Sequence, residues 1–158
     1  MAGSRVVAVK RAVIDGLESA LAADQAFNGD ALPERRVEVS YGYDRASTAA
    51  ERVFTTRSRA DTPPAAMRAG RNFRDEAGTF NLVVLVSFLG GSVEDAEDRA
   101  IEVGEFVEEW LADRKQNELG VDGLQTLLVT AWDLVALGND NGHLAELTYT
   151  VRWTARLT

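Results

Sequence analysis

The chain has 158 residues, no cysteine and a formal net charge of -8. A chain of this length can bury roughly 70% of the surface it exposes when unfolded, so residues 1–158 are expected to form one domain without metal or disulfide. The missing cysteine excludes disulfides, thiolate metal sites and cysteine nucleophiles, and the negative charge argues against duplex DNA as a tightly held partner.

Residues 4–23 predict an amphipathic helix, because Val6, Val9, Val13, Leu17 and Leu21 recur at spacings of three and four. Lys10, Arg11 and Asp15 interrupt the apolar run that a signal peptide would need, so cytoplasmic synthesis is expected. No apolar run approaches the roughly 20 residues that span a bilayer, and no membrane partner is expected. Asn28-Gly29-Asp30 and Pro33 close a loop. Residues 36–43 alternate, with Val37, Val39, Tyr41 and Tyr43 on one face, which predicts a half-buried strand. A second strand is expected over Glu51–Ser58. Arg57 to Phe80, "RSRADTPPAAMRAGRNFRDEAGTF", follows neither period and is expected as a long loop.

Thr79 to Leu89, "TFNLVVLVSFL", is apolar on both faces and predicts a central strand covered on both sides, by helices or by a neighbouring subunit. Gly90-Gly91 breaks it, and Ser92 with Asp95 forms a capping-box pattern. The helix that follows runs to about Lys115 on a core stripe of Val93, Ala96, Ala100, Val103, Val107, Trp110 and Leu111. Leu124–Leu137 and His143–Leu157 predict a hairpin around "GNDNG". The resulting order, α-β-β-β-α-β-β, indicates an α+β domain: a mostly antiparallel sheet with two helices packed on it and a long loop between strands 2 and 3.

Charge is distributed unevenly. Arg52 to Arg74 holds six arginines and one acid, whereas Ser92 to Asp122 holds eleven acids against three bases. Arg57, Arg59, Arg68, Arg71 and Arg74 have three readings: solubilising charges, a nucleic-acid contact, or a dock for acidic protein surface. Phe73 is the only aromatic among them, which is thin for a base-stacking platform. The acidic helix on the same chain makes protein docking the most economical reading. Glu94, Asp98, Glu102, Glu105 and Glu109 fall opposite the core stripe, and such a run is usually a solvated face. Ile101, near the middle of that face, is a candidate anchor for a partner, alongside Glu102, Glu105 and Glu109.

Catalytic chemistry finds little footing. His143, the only histidine, sits beside a turn and is expected to be a solvent-exposed hairpin residue, since no coordinating partners surround it. Gly90-Gly91-Ser92 matches neither phosphate-loop pattern, and Glu94 and Asp95 would repel a phosphate there. No catalytic residue, metal or cofactor is expected.

The helix "VVAVKRAVIDGLESAL", the strand pair split by a long loop, the apolar strand running into "GGSVEDAEDRAIEVGEFVEEWLADRK" and the closing "LAELTYTVRWTARLT" together resemble the tail terminator (tail completion) proteins of long-tailed bacteriophages. The resemblance covers nearly the whole chain and rests on element order, size and charge pattern. It implies no enzymatic activity. It implies a homo-oligomeric ring, usually a hexamer, that caps the tail tube at the end facing the head and meets head-completion proteins of the neck. DNA would pass through the ring without specific binding. By position, the long loop carrying Arg68, Arg71 and Arg74 corresponds to the segment that contacts the tube or a neighbouring subunit. Two other readings stay open: another neck, connector or tube-associated virion protein, and a small ligand-binding or enzymatic α+β domain with a pocket under the loop.

Overall fold

The structure is a computed structural model and describes residues 4–61, 66–68, 71–88, 90–113, 119–139 and 142–157. In chain order the elements are α1 (Val6–Ala23), β1 (Val37–Ser40), β2 (Glu51–Asp61), β3 (Ala66–Arg68), β4 (Arg71–Phe88), α2 (Val93–Ala112), β5 (Leu124–Asn139) and β6 (Gly142–Leu157). The strands lie side by side as β1-β2-β4-β6-β5, and β3 pairs with β4 off that path. Every pairing is antiparallel except β1 on β2. The α+β class and the order of helices and strands are those expected from sequence.

One segment departs from expectation. The stretch read as a loop from Arg57 to Phe80 is mostly strand: β2 runs on to Asp61 and β4 begins at Arg71. A register shift between Thr55 and Ser58 carries β2 onto Phe80 through Ala77, and β4 continues against β6 as far as the Arg74–Leu157 pair. At the tip, β3 folds back so that Arg68 pairs with Arg71. The described part of β2 beyond Thr55 is exposed on both faces. A strand solvated on both sides has no reason to alternate polar with apolar, so the usual period-2 signal is missing. Its backbone hydrogen bonds to neighbouring strands make it a strand.

Both helices pack on one face of the sheet. The stripes expected from sequence are buried there, with Val9, Val13, Leu17 and Leu21 from α1 and Ala96, Ala100, Val103, Val107 and Leu111 from α2. They meet Phe80, Leu82, Val84, Leu147, Val151 and Trp153 from β4 and β6. Ser92 caps α2: its hydroxyl accepts from the Asp95 N–H at 3.1 Å, and Asp95 accepts from the Ser92 N–H at 3.0 Å. The opposite face holds a small second cluster of Phe54, Val83 and Leu85 with Leu144 against it. The ring of Tyr43 meets Phe54 edge-on at 5.4 Å, so the β1–β2 connection helps to cover the central strand there.

The helix layer sits unusually close to the sheet at one point. Gly104 is buried in the middle of α2, and a Cβ there would lie 2.3 Å from Leu147 Cδ2 and 2.6 Å from the Tyr149 hydroxyl. Tyr149 is itself buried. Burial, and after it the charges of Glu108 and Glu105, push its hydroxyl up from 10.0 to about 12. The unfolded chain therefore loses this proton first as pH rises. Stability held below pH 10.0 will fall by roughly 3 kcal/mol as pH climbs through about 12. Denaturation curves across that window should show the loss in the native chain and a much smaller one in Tyr149→Phe.

His143 departs from expectation as well. It pairs with Phe88 and Gly138 in the ladder and is half-buried, with an Nδ1 that finds no hydrogen-bond partner. The hairpin was expected to leave it in solvent. Its strand position turns it toward the α2 side, where the close approach of Gly138 and Val93 covers the ring.

Candidate assembly surfaces

The arginine-rich arm is the outer half of the β2–β4 ladder. Arg57 and Arg59 both stand exposed on β2. Arg59 lies 3.8 Å from Asp61, but both side chains are more than three-quarters exposed, so the pair holds neither in place. Arg68, Arg71 and Arg74 have their backbones in β3 and β4, while their side chains lie outside the described residues. Arg52, at the start of the same basic run, is not part of the arm. It donates to the carbonyls of Ala49 (3.0 Å) and Asp44 (3.1 Å) and lies 5.4 Å from the Tyr43 ring.

The base of the arm is tied to α1. Glu76 is buried, and its carboxylate accepts from the Ser4 hydroxyl and, at 3.0 Å, from the Arg5 N–H. That carboxylate stands at a helix N-terminus, where unpaired N–H groups and the helix dipole favour negative charge. Arg5 reaches Asp122 at 3.5 Å beside it. Just inside this point, Gly78 lets the Trp153 ring lie against the strand, since a Cβ would be 2.8 Å from Trp153 Cζ2 and 2.5 Å from the Arg59 carbonyl.

The acidic surface is the outer face of α2. Glu94, Asp98, Glu102, Glu105 and Glu109 are all exposed, as their helical spacing implied. Ile101 is different: it is half-buried and packs against the core, so it does not stand free among the acids. Its angular position faces the flank of the helix layer, which the wheel alone did not separate from the solvent face. Glu102 is partly engaged at home, 2.9 Å from Arg99 Nη1.

Arg99 is the residue that sequence reasoning undervalued. Counted there as one base among eleven acids, it is buried, with a two-pronged contact to the equally buried Glu51 of β2 at 2.8 and 2.9 Å. It also donates to the Ala26 and Arg35 carbonyls at 3.1 and 3.4 Å, and the Phe27 ring lies 5.0 Å from its guanidinium. Burial works against its charge, but the bonds to Glu51 and Glu102 outweigh that and raise its pKa above the ordinary value. A signal existed: position 99 falls between Ala96 and Val103 on the core stripe of α2. Lys10 repeats the pattern on α1. It is buried on the stripe, donates to the Thr56 carbonyl at 3.2 Å and sits 4.7 Å over the Tyr41 ring, and burial lowers its pKa.

Two surface cavities, of about 580 and 500 Å³, lie away from the arm, one between α1 and β1 and one around Arg35, Phe88 and Arg99. Among the described residues no group of three or more His, Asp or Glu is placed to hold a metal ion, and no helix is long and apolar enough to cross a membrane.

No family model and no curated protein matches the chain. Its fold is shared with a chain in the solved virion of a native gene transfer agent particle, at a TM-score of 0.59 and 17% sequence identity, covering 99% of this chain and 100% of that one. At that identity the likeness establishes a common α+β architecture over the full length of both chains.

Proposed function

We propose that this chain is a structural virion protein that assembles head to tail into a ring closing the tail tube, in the manner of a tail terminator. The observation that carries the reading is the presence of two opposite, spatially separate charged surfaces on one small body: the exposed Arg57 and Arg59 of the arm, and the exposed acids of α2. A ring is a heterologous assembly, so each subunit must offer two different surfaces that fit one another. Arginine's planar fork suits carboxylates on a neighbouring helix. The full-length fold likeness to a chain of a gene transfer agent virion supports the same reading. On it, the partners are further copies of the chain, the tail tube protein and a head-completion protein. Acids lining the passage would let DNA cross without adhering, since like charges repel.

Reversing Arg57, Arg59, Arg68, Arg71 and Arg74 to Glu should leave the fold intact, because exposed charges away from the core move stability by only about 0.5 kcal/mol each. The same variant should lose ring formation on isolated tail tubes, read by co-sedimentation and negative-stain imaging. Binding of the native chain should weaken as salt is added. Undiminished, salt-independent rings from the reversed variant would remove the arm from the mechanism.

A further inference from the structure

Eight large apolar side chains are exposed among the described residues, and seven of them gather at the two lateral flanks of the sheet. One flank is β5, an edge strand of 16 residues. Leu128, Val135 and Leu137 are registered with Arg152, Glu146 and Leu144 on the side away from the helices, whereas Trp132 is registered with Tyr149 on the helix side. Apolar groups therefore stand on both sides of the same free edge, and Trp132 and Leu137 are 61% and 62% exposed. A long apolar edge strand left open is a template for association, and proteins normally cover or charge it. The charge here is negative: Asp133 is exposed beside Trp132, and Glu105 and Glu108 of α2 act on Tyr149, its cross-strand neighbour.

The other flank holds Tyr41 and Tyr43, which follow β1, with Leu32 before it. Its aromatic groups also straddle the sheet, but they are accompanied by cations. Lys10 lies over Tyr41 on the helix side, while Tyr43 lies against Phe54 on the other side with the Arg52 guanidinium 5.4 Å away. The two flanks are thus alike in shape and opposite in charge, one aromatic with acids and one aromatic with bases. Such complementarity selects a partner and its orientation.

We infer that the β5 flank of one copy, through Leu128, Trp132, Val135 and Leu137, seats the Tyr41–Tyr43 flank of the next copy. This deepens the ring reading and rests on it, while naming a seam that the arm and the acidic helix do not provide. Both flanks belong to every subunit, so each contact leaves one flank of each kind open until the circle closes.

The test uses the full chain with one flank spoiled at a time, Trp132→Glu on one side and Tyr43→Glu on the other. Circular dichroism and urea denaturation establish that each variant is folded, and Leu137→Lys replaces Trp132→Glu if that variant is not. Assembly is followed by native mass spectrometry and sedimentation as concentration rises, alone and on isolated tail tubes. The native chain is expected to form higher assemblies, and each variant alone to remain monomeric. An equimolar mixture of the two should stop at the dimer, because it contains one intact seam. Variants that assemble like the native chain would overturn the seam and leave the ring reading standing. Variants that assemble normally but lose the tube would assign the flank to the tube protein and overturn it too. A native chain that stays monomeric at millimolar concentration and on tubes would overturn both.

Discussion

Arg99→Met will destabilise the fold by about 3–5 kcal/mol, the range expected when one member of a buried ion pair is removed and its partner is left uncompensated. The partner is Glu51, whose side chain is 1% exposed, and no route to water is open to its carboxylate. Domains of this size are stable by only about 5–15 kcal/mol, so the loss is a large share of the whole. The carbonyls of Ala26 and Arg35 lose a donor in the same step. Urea denaturation of the variant should show a sharply lowered midpoint. The double variant Arg99→Met with Glu51→Leu should recover much of it, because an apolar pair of similar volume often replaces a buried ion pair at little cost. A single variant within about 1 kcal/mol of the native chain would contradict this account of the cluster. The consequence for assembly is geometric. Arg99 locks α2 to β2, so it holds the acidic face at a set distance from the arm that grows out of the same strand.

Gly104→Val will destabilise by about 3 kcal/mol, and Gly104→Ala is the sharper test because two effects of opposite sign compete. Within a helix, glycine is about 1 kcal/mol worse than alanine, so local propensity alone makes Gly104→Ala stabilising. Against that, the first added carbon would fall 2.3 Å from Leu147 Cδ2 and 2.6 Å from the Tyr149 hydroxyl, in a core with no exposure at Leu147. Either α2 lifts from the sheet or both side chains leave their rotamers, at a typical cost of 1–3 kcal/mol. Packing is expected to win, so that Ala is neutral to destabilising and Val clearly destabilising. Thermal or urea denaturation of the pair decides it; a stabilised Gly104→Ala would mean that the helix rides higher over β6 than the geometry here implies.

Much of the architecture was legible because it rests on periodicity. The stripe from Val9 to Leu21, the stripe from Ala96 to Leu111 and the alternation from Leu147 to Ala155 each reflect a face that must leave water, and each is buried as its spacing implied. The Ser92–Asp95 cap was legible for a similar reason, since its partners are three residues apart. The arm was not. Its strands are held by ladders to residues as distant in sequence as Arg156 and Leu157, and their solvated faces impose no pattern on side-chain choice. The candidate surfaces divide in the same way. The acids of α2 could be placed from helical spacing, whereas Ile101 could not, because the difference between the solvent face and the flank of the layer depends on how the helix is rotated over the sheet.

Sequence by itself determined which faces are apolar, where the helices are capped and that opposite charge is concentrated in two regions of one chain. Only the tertiary structure decided that Arg99 and Lys10 lie inside, that Glu76 receives the start of α1, and that exposed aromatics gather at the two rims of the sheet. The physical reason is range. Burial periodicity and capping act between residues a few positions apart, whereas ion pairing, strand registry and edge exposure depend on which distant segments the fold brings side by side.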